Sequence, residues 1–180
     1  MSRSMGRRIA MMGVGVLLVS IARGAAAADL QVGDQAPAFT MVGSDGKNYT
    51  LDQFKGKSAV VIAWFPKAFT GGCTRECKSM QEHSKQLHEL KVAYFTASVD
   101  TPELNKKFAE SLTLDYPILS DPDKTVAKAY GVISARGFAN RWTFYIDKEG
   151  VIRAIDKSVN PTQAGPDVAA KVKELKLASE

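Results

Sequence analysis

The hydrophobic pattern changes period several times along the chain. Ala59-Val60-Val61-Ile62-Ala63-Trp64-Phe65 is a short unbroken apolar run, β-branched and aromatic, with turn residues on both sides. Such a run reads as a fully buried central strand. Pro66 ends it, and Gly71-Gly72 reads as a tight backbone bend. From Cys73 to about Leu90 the residues are long and polar, with almost no glycine, which predicts a helix. The pattern therefore sets a thiol where a strand hands over to a helix, at or near the helix N-terminus.

The remaining elements follow in order. Val32 to Phe39 reads as an extended lead-in. Gly43-Ser44-Asp45-Gly46 is a turn and Tyr49-Thr50-Leu51 follows it, so a small hairpin is predicted. Val92 to Val99 is a second core strand. Asp100-Thr101-Pro102-Glu103 opens a helix, with cap candidate, proline and acid in order, and that helix ends near Leu112. Tyr116 to Ser120 is a short edge-like strand. Asp121 begins a short helix to Tyr130, stopped by Gly131. Trp142 to Ile146 is a strand, Asp147-Lys148-Glu149-Gly150 a turn, and Val151 to Ile155 pairs back as a hairpin. Pro166 opens a final helix to about Leu177. Strands alternating with helices indicate a layered α/β domain.

Composition changes this picture at the N-terminus. The chain has 180 residues, 45% hydrophobic and 24% charged, ordinary for one soluble domain with a real core. Its net charge of +5 comes mostly from residues 1–28, which hold Arg3, Arg7, Arg8 and Arg23 and no acid. Without them 20 basic residues face 19 acidic ones, a net of +1, so the rest of the chain offers no electrostatic case for nucleic acid or membrane binding. Three arginines, an apolar stretch from Ile9 to Ala22 and Ala25-Ala26-Ala27-Ala28 read as a signal peptide over residues 1–28, cleaved at or close to Ala28. The competing reading is an uncleaved N-terminal anchor. The expected domains are thus 1–28, a signal peptide, and 29–180, one folded unit. The expected location is periplasmic or extracellular, an oxidising place.

The two cysteines, Cys73 and Cys77, are four positions apart. A structural disulfide gains most by closing a long loop, and this spacing closes almost none. The pair therefore reads as chemical. The first turn of a helix has unpaired N–H donors and the positive end of the helix dipole, and both favour a thiolate. The bland alternative for Cys73 is a buried small hydrophobe. Two glycines, a nearby threonine and flanking polar residues argue against it.

At these residues the chain resembles the peroxiredoxin family. Pro66-x-x-x-Thr70-x-x-Cys73 matches the peroxiredoxin active-site pattern at every fixed position, and Thr74 and Glu76 extend it as the peroxiredoxin Q, or bacterioferritin-comigratory-protein, branch does. Arg141-Trp142-Thr143-Phe144-Tyr145-Ile146-Asp147 is similar to the segment carrying that family's active-site arginine. The resemblance covers about residues 30 to 178. It implies a thioredoxin-like fold, a central mixed β-sheet flanked by helices with an N-terminal β-hairpin extension. The N-terminal βαβ and C-terminal ββα pattern fits that fold. The implied activity is that of a thiol peroxidase acting on hydrogen peroxide and organic hydroperoxides. By the same resemblance Cys73 is the peroxidatic nucleophile and is oxidised to sulfenic acid. Thr70 holds thiolate and peroxide through its hydroxyl, and Pro66 shields the sulfur from water. Arg141 stabilises the thiolate and binds a peroxide oxygen with its fork of donors. Glu76 orients Arg141. No cofactor is implied, and no metal, haem or nucleotide motif is present. The implied partners are a peroxide and a thiol reductant such as a thioredoxin-like protein or glutathione, the protein being a monomer or weak dimer.

Cys77 stays open. The branch often carries a resolving cysteine five residues after the first, and here the separation is four. Residues four apart on a helix have Cβ atoms about 5–6 Å apart, whereas a disulfide wants roughly 3.5–4.5 Å. A Cys73–Cys77 bond requires the first turn to unwind. Otherwise Cys77 is a packed helix residue and an external thiol reduces Cys73. Two rivals remain. Cys-x-x-x-Cys in an exported domain is similar to Sco-type copper chaperones, but these need a downstream histidine, and the only histidines, His83 and His88, follow the cysteines on the same predicted helix and read as solvated. A cell-envelope thiol–disulfide oxidoreductase would rely on Cys-x-x-Cys, which is absent.

Overall fold

The computed structural model describes residues 29–178, so the expected signal peptide lies outside the described residues. An interior strand of its sheet is β3 (Val60–Trp64), and all five of its residues are buried. Alternate side chains point to opposite faces of a sheet. Val60, Ile62 and Trp64 enter one apolar cluster with Phe95, Tyr130 and Phe144, while Val61 enters another with Met80, Leu87 and Val168. Both faces are therefore covered, which is why this strand has no polar alternation.

Seven strands form one mixed sheet in the order β2-β1-β5-β4-β3-β6-β7. β1 (Thr40–Gly43) and β2 (Asn48–Thr50) make the expected hairpin, and a 3-10 turn at Leu51–Gln53 follows. β1 also pairs antiparallel with β5 (Ile118–Ser120). β4 (Ala93–Ser98) runs parallel to β3 and to β5. β6 (Thr143–Ile146) is antiparallel to β3, and β7 (Ile152–Asp156) folds back on it. This is the thioredoxin-like arrangement that the alternating pattern and the family resemblance both indicate. Among the described residues no helix is long and apolar enough to cross a membrane.

Helix boundaries depart from the sequence reading in four places. The helix expected from Cys73 begins at Gly71, as α1 (Gly71–Glu82), and stops at His83; α2 (Ser84–Glu89) continues separately. The break coincides with close packing against α5 (Ala164–Glu174): a Cβ on Gly165 would stand 2.2 Å from the Ser79 carbonyl oxygen. His83 turns its Nδ1 to the same carbonyl at 2.9 Å, so it is a packed residue at a helix end and not a solvated one. The helix expected from Asp121 is only α4 (Thr125–Ala129), because Asp121 stays outside and accepts the N–H groups of Val126 and Ala127. α5 starts two residues before Pro166, which sits within its first turn, where a missing N–H costs nothing. α3 (Pro102–Leu112) is capped by Thr101, whose hydroxyl accepts from Leu104 N–H at 3.3 Å.

Candidate active site

Two chain crossings build the site. β3 ends at Trp64, and residues 65–70 loop over to α1, where Thr70 is the N-cap with extended backbone. Gly71, Gly72 and Cys73 are thus the first three helical residues, and their N–H groups have no partner within the helix. The glycines do not make the bend expected of them. The sharp turn is at Phe69, whose φ of 61° lies in the left-handed region. A non-glycine residue there costs about 1–2 kcal/mol. The Phe69 ring rests on Phe108 with centroids 5.0 Å apart, which helps hold that conformation.

The second crossing brings Arg141. β6 pairs antiparallel with β3, Ala63 opposite Thr143, so extending the register sets Arg141 beside Phe65, where β3 gives way to the loop. The Trp64 N–H donates to the Trp142 carbonyl at 2.8 Å and carries the pairing past the formal strand end. Upstream, residues 132–140 form a tight hairpin closed by an Ile133–Ala139 bridge and the Asn140 N–H on the Val132 carbonyl at 2.7 Å. Strand adjacency thus closes a gap of 68 positions between the thiol and the guanidinium.

The resulting geometry is compact. Arg141 Nη2 donates to Cys73 Sγ at 3.4 Å. Arg141 Nη1 donates to Glu76 Oε2 in a short ion pair. Cys73 is 1% exposed and Glu76 0%, so little water screens either contact. Burial works against the charge on Arg141, but Glu76 and Cys73 outweigh it and hold the guanidinium above the ordinary arginine range. Burial pushes the Glu76 carboxyl up to about 7, against the pull of Arg141. Its second oxygen, Oε1, has no hydrogen-bond partner among the described residues. A Cβ on Gly72 would meet Arg141 Nη2 at 3.0 Å, so the guanidinium reaches the sulfur across a position without a side chain.

The other expected residues fall around this centre. Pro66 is half-buried at the start of the loop. The Thr70 hydroxyl is exposed and donates to the Lys67 carbonyl at 2.9 Å; it does not cap α1. The first-turn N–H groups are therefore left without a side-chain cap, an electropositive spot beside the sulfur. Cys77 lies one turn below Cys73 on the same face, and both belong to the cluster of Phe65, Ala68, Phe108 and Ile118. Both thiols are free. Burial pushes the Cys77 thiol up to about 12, and the Glu76 charge adds to it. Tyr116 donates to the Cys77 carbonyl at 3.0 Å. Neither histidine hydrogen-bonds to a site residue: His83 meets the Ser79 carbonyl at 2.9 Å, and His88, on α2, contacts Tyr94 at 3.2 Å.

Sequence reasoning missed two participants. Gly72, a bend residue by its sequence context, instead leaves room for Arg141. Asp100, part of a helix start by its sequence context, instead accepts the Ala68 N–H of the active-site loop at 2.8 Å. An aspartate before Thr-Pro-Glu carries no sequence signal that distinguishes those uses.

Comparison with known proteins gives the class. The AhpC/TSA family profile matches residues 32–155. The chain is 35% identical over 133 residues to the protein named putative peroxiredoxin bcp of Coxiella burnetii, covering 70% of this chain and 87% of that one. It is 36% identical over 127 residues to alkyl hydroperoxide reductase E of Mycobacterium tuberculosis, covering 69% and 83%. Among solved structures it superposes on the peroxidoxin BcpB of Mycobacterium tuberculosis with a TM-score of 0.73 at 27% identity, covering 81% and 97%. The fold is also that of Xylella fastidiosa PrxQ, at a TM-score of 0.75, 20% identity and coverage of 82% and 98%. The chain belongs to the AhpC/TSA family: it is a peroxiredoxin, a thiol-dependent peroxidase. Within that family its relatives include the Bcp peroxiredoxins.

Proposed function

We propose that Cys73 is the peroxidatic residue of an exported enzyme that reduces hydrogen peroxide and organic hydroperoxides. The observation that carries this is the Arg141 guanidinium 3.4 Å from Cys73 Sγ at the uncapped first turn of α1. Both features stabilise negative charge on sulfur and on a departing oxygen. The thiolate attacks the terminal oxygen of ROOH. An S–O bond forms as the O–O bond breaks, and RO⁻ leaves and takes a proton from water. The products are the Cys73 sulfenic acid and ROH. Arg141 Nη2 and the free N–H groups face the charge that develops, Thr70 and Pro66 border the site, and Glu76 fixes the orientation of the guanidinium.

Cys77 serves as the resolving thiol once the first turn of α1 unwinds. In the folded helix it is buried and its thiol is held near 12, so it is inert. Unwinding removes both barriers. Its sulfur then displaces water from the sulfenic acid to form the Cys73–Cys77 disulfide, and a small thiol or a thioredoxin-like protein reduces that bond. The export proposal rests on the arginine, apolar and alanine pattern of residues 1–28. The copper-chaperone reading is disfavoured because a guanidinium against Cys73 repels a metal cation, and no three His, Cys, Asp or Glu side chains converge among the described residues.

Intact mass after one equivalent of peroxide tests the cycle. A loss of two hydrogens supports the internal disulfide. A gain of one oxygen supports an external resolver, and an unchanged mass with peroxide left over contradicts the peroxidase reading.

A further inference from the structure

Within the active-site loop the Thr70 hydroxyl donates to the Lys67 carbonyl at 2.9 Å, and a second hold comes from outside it. Between β3 and α1 it passes through Pro66, which has no N–H, and through the left-handed Phe69. Its inward anchor is Ala68, which is 4% exposed and packs in the same cluster as Cys73. The Ala68 N–H donates to Asp100 Oδ2 at 2.8 Å, across 32 positions, from a turn that joins β4 to α3.

Asp100 is itself fixed from behind. Asn105 on α3 is fully buried and donates from Nδ2 to Ser98 Oγ at 3.0 Å and to Ser120 Oγ at 2.9 Å. The Ser98 hydroxyl has two acceptors at 3.1 Å, Asp100 Oδ2 and Asn105 Oδ1; with the Asn105 amide already donating to its oxygen, the arrangement that serves both groups sends the hydroxyl hydrogen to the Asp100 carboxylate. The Asp100 N–H closes the ring by donating to Ser98 Oγ at 3.2 Å. Side chains from β4, α3 and β5 thus join in one network, Ser98 carries it to the Asp100 carboxylate, and that carboxylate meets one backbone group of the loop. A satisfied buried network of this kind rigidifies what it touches.

We propose that Asp100 is a positioning residue for the peroxidase reaction: by accepting the Ala68 N–H it fixes the loop that sets Thr70 and the first turn of α1 against Arg141. It touches neither sulfur nor substrate. Its effect runs through two residues of chain to Thr70 and five to Cys73. The proposal rests on Cys73 being the peroxide-reactive thiol. Peroxide attack needs sulfur, N–H donors and guanidinium in register, whereas alkylation by iodoacetamide needs only a reachable thiolate, so the two reactions separate alignment from simple reactivity.

The test compares reduced wild-type protein with Asp100→Ala and Asp100→Asn. The hydrogen peroxide rate is read by stopped-flow tryptophan fluorescence, and Cys73 carboxamidomethylation by mass. Asp100→Ala is expected to slow the peroxide reaction about tenfold or more, in line with the cost of small misplacements, and to change the alkylation rate by no more than about threefold. Asp100→Asn keeps an acceptor for the Ala68 N–H and is expected to stay within about threefold of wild type in both. The proposal is overturned if the alanine variant reacts with peroxide like wild type, if both reactions fall together, or if the asparagine variant is as slow as the alanine one. Amide exchange on the unmodified protein gives a reading that no folding defect confuses. The Ala68 amide should exchange more slowly than those of Lys67 and Phe69, and equal exchange overturns the anchor. A wild-type protein inert to peroxide overturns the Cys73 assignment itself. Slow Ala68 exchange with a failed asparagine rescue overturns this proposal alone.

Discussion

Gly72 and Arg141 make a close approach: a Cβ at position 72 would lie 3.0 Å from Arg141 Nη2, tighter than ordinary van der Waals contact. The guanidinium can yield only by turning about its other terminal nitrogen, which the buried Glu76 carboxylate holds. Gly72→Ala is therefore expected to shift Nη2 away from Cys73 and slow peroxide reduction about tenfold or more. Alanine is the better helix former by roughly 0.8–1 kcal/mol, so thermal stability should hold or rise. Stopped-flow rates and a melting curve on the same sample check this. A variant both stable and fully active would show that the close approach has no functional weight.

Arg141 spans two partners, Glu76 with Nη1 and Cys73 with Nη2. Lysine carries the charge but not the fork. Arg141→Lys should thus lose most of the peroxide reactivity, about 100-fold as an order of magnitude for a removed charge-stabilising donor. Wild-type rates from the lysine variant would mean that charge alone suffices.

Glu76 gives the protein a pH dependence of defined sign. Its folded-state value, about 7, lies above the ordinary 4.5 because burial disfavours the carboxylate. As pH rises from 4.5 to 7 the unfolded chain releases this proton while the folded protein keeps it. The contribution to stability therefore falls across that window and is flat above it, by a few kcal/mol at most. Chemical denaturation between pH 4 and pH 8 should show the decline, and Glu76→Gln should flatten it. A stability that rises through this range at wild-type Glu76 and not in the glutamine variant would reverse the assignment.

Cys77 should be dispensable for the first oxidation and required for the internal bond. Cys77→Ser is expected to react with one equivalent of peroxide at the wild-type rate, to within about threefold, and then to retain one added oxygen. The basis is that the Arg141 hydrogen bonds go to Glu76 and Cys73, while Cys77 lies about one helical turn further along α1. Formation of a mixed disulfide with glutathione at an undiminished turnover rate would show that an external thiol resolves Cys73 directly.

Much of the site was legible because local patterns announced it. Seven apolar residues, Ala59 to Phe65, short, β-branched and bounded by turn residues, read as a buried strand, and a thiol follows where helical composition begins. Arg141 was found through its resemblance-bearing segment and not through local chemistry, since its approach to Cys73 depends on the pairing of β3 with β6. What remained hidden depends on neighbours distant in sequence. The stop at His83 coincides with Gly165 pressed against Ser79 on another helix. Gly72 matters because of a guanidinium 69 residues away in the chain, and Asp100 because of one backbone N–H of the loop. Residue type alone carries none of that information.

The central claim is that one aligned sulfur, Cys73, consumes the peroxide. The direct measurement is peptide mapping of the fully reduced, folded protein after a single equivalent of hydrogen peroxide, with residual peroxide assayed in parallel and Cys73→Ser as the comparison. The account predicts complete consumption by wild type, oxidation confined to the peptide containing Cys73 and Cys77, and no consumption by Cys73→Ser. Peroxide left untouched by the folded wild-type protein, or consumed equally by Cys73→Ser, would contradict it.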